Sequence, residues 1–105
     1  MERADYIKQT VCGFKAQLDY AEERKDIEYF ADNFLVTEVA RVMRDKLARS
    51  RAKGHYGWWN DQECTVDRLL ELLKENLDKG EMANVINLAA MIHVRQQSGS
   101  IKSPK

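Results

Sequence analysis

The scarcity of helix-breaking residues constrains this 105-residue chain more than any other feature of its sequence. Its single proline is Pro104, and its five glycines fall at positions 13, 54, 57, 80 and 99. Apolar residues recur at spacings of three and four, and strand-like alternation is absent. This pattern predicts an all-α fold of about four helices joined by few turns.

The first half of the chain predicts two helices. The first covers residues 3–25 and carries a narrow apolar stripe, typical of a two-helix seam within one chain or between chains: Ile7, Val11, Phe14, Leu18 and Ala21. The second begins near Ile27 or Asn33 and ends at Ala52. Asp32 is a candidate cap, so a break near residues 26–32 is expected. The expected buried side of the second helix comprises Phe30, Phe34, Leu35, Val39, Val42, Met43 and Leu47.

The second half predicts a loop followed by a helical hairpin. Residues 54–64 form the loop, Thr65 caps the third helix, and Gly80 ends it. The fourth helix spans residues 81–97, and the short turn predicts that the last two helices pack antiparallel. Their expected buried faces comprise Val66, Leu69, Leu70, Leu73 and Leu77 on the third helix, and Met82, Val85, Leu88, Ala89 and Ile92 on the fourth.

The domain organisation follows from these elements. Residues 1–31 are expected to form an N-terminal helical segment for oligomerisation, residues 32–97 the helical core domain, and residues 98–105 a disordered tail. A small domain buries a limited share of its surface, and self-association adds stability, so we expect a homo-oligomer.

Charge and composition exclude several classes of partner. Basic and acidic residues number 17 each, which argues against duplex DNA binding driven by net charge. The charges are nevertheless segregated into a +5 block at residues 41–53 and a −4 block at residues 61–81, which predicts that the two blocks pair with each other or with a neighbouring subunit. No apolar run is long enough to span a membrane. Two cysteines without metal or disulfide spacing indicate a cytoplasmic location, that of the bacterial host if the protein is phage-encoded.

The segment from Arg49 to Asp61 is the strongest candidate for a binding site. It combines cationic side chains, flat aromatic rings and two glycines, which suit an anionic ligand that carries a ring. Trp58 and Trp59 are adjacent and point in different directions, so one is expected to pack inward while the other stacks on a ligand. The alternative is that these residues only pin the loop onto a small core. The candidate ligand-binding residues in and before the loop are Arg44, Arg49, Arg51, Lys53, His55, Tyr56, Trp58 and Trp59.

Two further candidates are Asn84 and Asn87, which lie on one side of an otherwise apolar helix. Buried amides need hydrogen-bond partners. These two either satisfy the backbone of the loop or bind the polar edge of a ligand.

The sequence gives little support to catalysis. A magnesium-dependent all-α nucleotide pyrophosphohydrolase needs carboxylates on facing helices. Asp67, Glu71 and Glu75 supply one helix, but no acidic residue follows Glu81 to supply the other. We therefore predict no catalytic residue, no metal ligand and no cofactor.

Several short runs together resemble a family. They are Lys46-Leu-Ala followed by Arg51, the run Lys53-Gly54-(x)-(x)-Gly57-Trp58, the pair Cys64-Thr65 opening a leucine-rich helix, and Lys79-Gly80 followed by Val85 and Asn87. This pattern resembles small uncharacterised helical proteins of bacteriophages and prophages that carry a KGxGGW-type loop. The likeness covers residues 34–93. Residues 81–84 depart from it, because the family run reads Asp-Pro-Val-Asp there, which argues against a metal role for the turn.

The resemblance implies a phage-type accessory role that acts by binding. The leading hypothesis is a non-enzymatic protein that sequesters an anionic nucleotide-like ligand, in the manner of a sponge that counters host defence. The alternatives are a protein-interaction module that inhibits a host defence complex, single-stranded nucleic acid binding and, last, the pyrophosphohydrolase.

Overall fold

The computed structural model describes residues 2–19 and 22–99. Within these residues, four helices follow one another: α1 (Arg3–Gln17), α2 (Arg24–Ala52), α3 (Val66–Lys79) and α4 (Met82–Gln97). The described residues contain no strand, which confirms the all-α prediction. Two expectations lie outside the described residues, namely Ala21 in the first apolar stripe and residues 100–105 of the tail.

The boundary between the first two helices differs from the prediction. The first helix ends at Gln17 instead of residue 25, and α2 runs unbroken from Arg24 past the expected break. Asp26 lies in the first turn of α2, and Arg24 bonds Glu28 one turn later at 2.6 Å. A carboxylate in the first turn and an i,i+4 ion pair both favour helix formation there, so Asp32 is an interior residue and not a cap.

The chain divides into two compact units, Met1–Ala40 and Arg41–Lys105. The division falls within α2, after Ala40. The assignment of residues 1–31, 32–97 and 98–105 to separate segments stays a prediction.

In the first unit, α1 contacts α2 through aromatic rings and one ion pair. The ring of Phe34 lies 6.0 Å from those of Tyr6 and Phe14, in tilted and edge-on arrangements that aromatic pairs favour. Arg3 donates to both carboxylate oxygens of Glu38, with Nε to Oε1 at 2.8 Å. These hydrogen bonds hold the pKa of the Arg3 guanidinium above its ordinary value. Ile27 is the buried apolar side chain of α2.

The expected buried side of α2 is wrong at two positions, because Phe30 and Leu35 are both more than half-exposed. Tyr29 and Val36 are exposed as well. The first unit provides a single helix, α1, to cover α2, and that helix covers only the side that carries Ile27, Phe34 and Glu38. The remaining apolar side chains of α2 in this unit consequently face outward.

In the second unit, α3 and α4 pack together as the hairpin that the sequence predicts. The hydroxyl of Thr65 accepts from the Arg68 N–H at 3.1 Å, which confirms the predicted N-cap. Gly80 ends α3 with φ +72°, a left-handed conformation that glycine adopts readily. Leu69 and Ile92 are buried at the helix–helix seam.

The predicted buried faces of α3 and α4 include more residues than the structure buries. Leu70, Leu77, Met82 and Ala89 are exposed although the sequence places them inward. Each helix of the hairpin has one neighbouring helix in close contact, so only a narrow strip of each surface is covered.

We predict that Thr65→Ala lowers the free energy of unfolding by about 1 kcal/mol, because the Arg68 N–H loses its acceptor. Urea denaturation followed by circular dichroism measures this loss. Thr37→Ala, at an exposed position inside α2, is the matched control and should change stability by less than about 0.5 kcal/mol. Equal losses in the two variants would contradict the capping role.

Candidate functional site

Two adjoining cavities lie in the second unit, beside the last turns of α2. The first, here called the aromatic cavity, has a volume of about 810 Å³. The second, the amide cavity, has a volume of about 520 Å³. Both volumes fall within the range of roughly 300–1,000 Å³ that is usual for small-molecule sites. The two cavities share the lining residues Leu47, Ser50, His55, Leu72, Leu88 and Met91.

Beyond the shared residues, the two cavities differ in chemistry. The aromatic cavity is lined by Arg51, Tyr56, Gly57, Trp58, Trp59, Glu63, Cys64, Arg68 and Leu69. The amide cavity is lined by Lys46, Arg49, Lys53, Asn76, Glu81, Asn84 and Asn87. Nine of the ten predicted site residues therefore line one cavity or the other. The exception is Arg44, which lines neither.

The cationic side chains at the end of α2 line different cavities. Leu47 and Ser50, three residues apart, lie on one side of the helix and line both cavities. Arg51 lines the aromatic cavity, whereas Lys46 and Lys53 line the amide cavity. The helical period of 3.6 residues explains this separation, since Lys46 and Lys53 are seven apart and share a helix side.

Backbone hydrogen bonds fix the loop at residues 54–64. The N–H of His55 donates to the Ser50 carbonyl at 2.9 Å, which closes the end of α2. The N–H of Asn60 donates to Gly57 O at 3.0 Å, and the N–H of Cys64 donates to Asn60 O at 2.8 Å. The loop is thus a series of hydrogen-bonded turns that hold the aromatic side chains in place.

Gly57 allows the tightest of these turns. Its φ of +80° is a conformation that residues with side chains rarely adopt. A Cβ atom added to this buried glycine would lie 2.9 Å from the Cβ of Glu63. The position therefore excludes any larger residue on both backbone and packing grounds.

The side chain of Arg95 in α4 holds the loop at residues 54–64 in place. The sequence did not lead us to predict this role. Its guanidinium donates through Nη1 to the carbonyl oxygens of Trp58 at 2.7 Å and Cys64 at 2.8 Å, and through Nη2 to the carboxylate of Asp61. The side chain is only 1 % exposed. A signal was present, because Arg95 follows Ile92 by three residues and so lies on the buried side of α4. A cation at such a position predicts a buried hydrogen-bonding role.

The two indoles occupy different environments, as the sequence predicts. Trp58 is half-buried, whereas Trp59 is 64 % exposed. Both line the aromatic cavity, where Tyr56 is a third and highly exposed ring. The cavity consequently offers ring faces that the folded chain itself leaves uncovered.

Ion pairs engage some of the cationic side chains and not others. Arg49 pairs with Asp45 at 3.2 Å, and Arg68 lies 3.7 Å from Glu71 and 3.6 Å from Glu75. These pairs form within each charged block, on exposed side chains that water screens well. Among residues 2–19 and 22–99, no acidic side chain pairs with Arg51, Lys46 or Lys53.

The amides of the second cavity form a short chain of hydrogen bonds. Asn84 Nδ2 donates to Asn76 Oδ1 at 3.1 Å and to Glu81 Oε2 at 2.8 Å, and Asn76 Nδ2 donates to the Leu72 carbonyl at 2.8 Å. Asn84 thus bonds across the hairpin to Asn76 and not to the backbone of the loop at residues 54–64. In that loop, Arg95 donates to the carbonyls of Trp58 and Cys64. Asn87 is 6 % exposed, and its buried Oδ1 has no donor among the described residues.

The carboxylates considered for metal binding line neither cavity. Glu71 and Glu75 are exposed beside Arg68, and Asp67 is exposed in the first turn of α3. In the part of the chain that the structure describes, no group of three or more histidine, cysteine, aspartate or glutamate side chains is arranged to hold a metal ion. None of the described helices combines the length and apolar character needed to cross a membrane.

Comparison with known proteins identifies no relative: no protein-family model, curated protein or solved structure matches the chain. The resemblance to phage and prophage proteins with a KGxGGW-type loop therefore stays a prediction.

We predict that Arg95→Gln lowers the free energy of unfolding by about 3 kcal/mol, since it leaves two loop carbonyls and a carboxylate without their donor. Asp61→Asn is the comparison, because the asparagine amide oxygen still accepts from Arg95 and both carbonyl bonds remain. It should cost less than Arg95→Gln, although the buried guanidinium loses its charged partner. Urea unfolding followed by tryptophan fluorescence measures both, and equal effects would mean that the carbonyl bonds contribute little.

Proposed function

We propose that the two cavities bind an anionic nucleotide-like ligand and retain it without breaking a bond. The observation that carries the proposal is that Arg51 and the exposed Trp59 line the same cavity. Nucleotides combine a flat ring with phosphate, and this pair of side chains is complementary to both parts.

The ring of the ligand is assigned to the aromatic cavity. Stacking of a base on an aromatic side chain contributes about 1–3 kcal/mol. Trp59 and Tyr56 are exposed and have room to stack, and the apolar side chains of Leu72 and Met91 line the same space. A ring bound here would remove apolar surface from water in addition to stacking.

The phosphate is assigned to the end of α2. An arginine fork binds two phosphate oxygens at once, and Arg51 has no competing ion pair among the described residues. Lys46 and Lys53 line the adjoining cavity and are likewise unpaired there. The shared lining residues Ser50 and His55 lie where the two cavities meet, so a ligand can reach both sets of cations.

Sequestration is the role that fits such a site. The resemblance to small phage and prophage proteins supports a counter-defence function, in which the protein withdraws a host signalling nucleotide from its receptor. A protein that sequesters a ligand must bind it and release it slowly. Cavities that exist before binding and a loop held by hydrogen bonds favour both.

Isothermal titration calorimetry at low salt, against a panel of AMP, cyclic nucleotides and ADP-ribose, tests the proposal. We expect binding to at least one of these compounds. Trp59→Ala and Arg51→Ala should each weaken that binding about tenfold or more, by loss of stacking and of the phosphate fork. Arg44→Ala is the matched control, because Arg44 is an exposed arginine of the same helix that lines neither cavity. The absence of heat with every compound would refute the proposal.

A second observation favours self-association. Tyr29, Phe30, Leu35 and Val36 are exposed within two turns of α2, and the only charged residues between positions 27 and 37 are Glu28 and Asp32. Monomers rarely leave so large an apolar cluster in contact with water. We propose that a second copy of the chain covers this cluster in a homo-oligomer. A host protein at the same surface is the alternative that a protein-interaction module would require.

Light scattering coupled to size-exclusion chromatography tests the self-association. We expect a mass above one chain for the purified protein. Val36 is 66 % exposed, so Val36→Glu should lower the mass toward that of a monomer without unfolding the chain. Ala89→Glu, which adds the same carboxylate at an exposed position of α4, should leave the mass unchanged. A monomeric wild-type protein would contradict the prediction and leave the apolar cluster for a different partner.

A further inference from the structure

The Oδ1 of Asn87 and the Nε of Arg95 are the buried side-chain polar atoms that have no partner among the described residues. Arg95 lines neither cavity, whereas Asn87 is 6 % exposed and lines the amide cavity. A buried acceptor without a donor is destabilising, and most buried polar atoms of folded proteins are paired. An amide retained at such a position is typical of a group that awaits a ligand.

The neighbouring amides differ from Asn87, because they form hydrogen bonds within the chain. Asn84, three residues earlier on the same helix, gives both of its N–H bonds to Asn76 and Glu81. Asn76 in turn donates to a backbone carbonyl. These bonds hold the wall of the cavity in place, and Asn87 is the member of the amide set whose oxygen has no partner.

The chemistry of this atom restricts what it can bind. A carbonyl oxygen accepts hydrogen bonds, so it repels phosphate and carboxylate oxygens and attracts an N–H or O–H group. Lys46, Arg49 and Lys53 on the facing side of the cavity supply the positive charge that a phosphate requires. The cavity thus presents a cationic side and an acceptor side, which suits a molecule that carries both phosphate and an N–H-bearing ring.

An asparagine amide matches one base edge especially well. Its oxygen accepts from the exocyclic amino group of adenine while its nitrogen donates to the adjacent ring nitrogen. The terminal torsion of asparagine is broad, so a rotation of the amide brings Oδ1 to the cavity surface when a base enters. Resting on the nucleotide-binding function proposed above, we propose that Asn87 recognises the amino-bearing edge of an adenine-type base that stacks in the aromatic cavity and reaches Asn87 where the two cavities meet.

A pair of ligands that differ at one group tests the proposal. AMP carries the amino group, and purine riboside 5′-monophosphate has the same ring, sugar and phosphate without it. Calorimetry should show that the wild-type protein binds AMP about tenfold more tightly than the analogue, the effect of one well-made hydrogen bond of roughly 1.4 kcal/mol. In Asn87→Leu, the two compounds should bind with equal affinity.

Thermal unfolding of the ligand-free protein separates a recognition role from a structural one. Asn87→Leu removes the unpaired acceptor and keeps the branching of the side chain, so the melting temperature should rise. Asn84→Leu is the matched control, and it should lower the melting temperature because it breaks the bonds to Asn76 and Glu81. A fall in both variants would show that Asn87 is a packing residue and would overturn the proposal.

The binding outcomes distinguish this inference from the proposed function. Equal binding of AMP and its analogue to the wild-type protein overturns the role of Asn87 and leaves nucleotide binding intact. Binding of a cyclic nucleotide that lacks adenine, without binding of any adenine-containing compound, has the same meaning. Absence of binding to every nucleotide overturns both.

Discussion

The buried guanidinium of Arg95 is the interaction on which the shape of the site depends. The loop at residues 54–64 has no strand or helix, and its own turns pair the carbonyl groups of Gly57 and Asn60 but not those of Trp58 and Cys64. Arg95 supplies donors to two of these carbonyls and to Asp61, and does so from a helix that is itself fixed in the hairpin. Trp58 and Trp59 consequently line a cavity because of a residue nearly forty positions further along the chain.

The sequence predicted the second unit better than the first. Thr65 and Gly80 bounded α3 correctly because caps act through local backbone geometry, which neighbouring residues determine. Of the two starts expected for the second helix, the one near Asn33 with Asp32 as its cap was wrong, since Asp26 and the Arg24–Glu28 pair favour an earlier start. Local capping chemistry offered two solutions there, and the sequence alone did not rank them.

In the candidate site as well, features that depend on nearby residues were predicted, and features that depend on tertiary contacts were not. Nine of the ten predicted residues line the cavities, because charge and aromatic rings were concentrated in one short segment. Arg44 was included on helix periodicity alone and lines neither cavity. Arg95 was missed because its importance lies in contacts over thirty residues apart, although its position on the apolar side of α4 was visible. The exposure of Phe30 and Leu35 could not be predicted from the sequence either. Periodicity shows which side of a helix is apolar, but it does not show whether another helix covers that side.

Arg95 bonds to the main-chain carbonyls of Trp58 and Cys64, not to their side chains. Every residue type carries the same carbonyl, so substitution at these two positions leaves the anchor in place. The part of the molecule that fixes the loop is therefore separate from the part that faces a bound molecule. In the function proposed above, new rings or charges at the loop surface would alter the ligand without an accompanying loss of folding, which is the condition under which a small binding protein can follow a changing target.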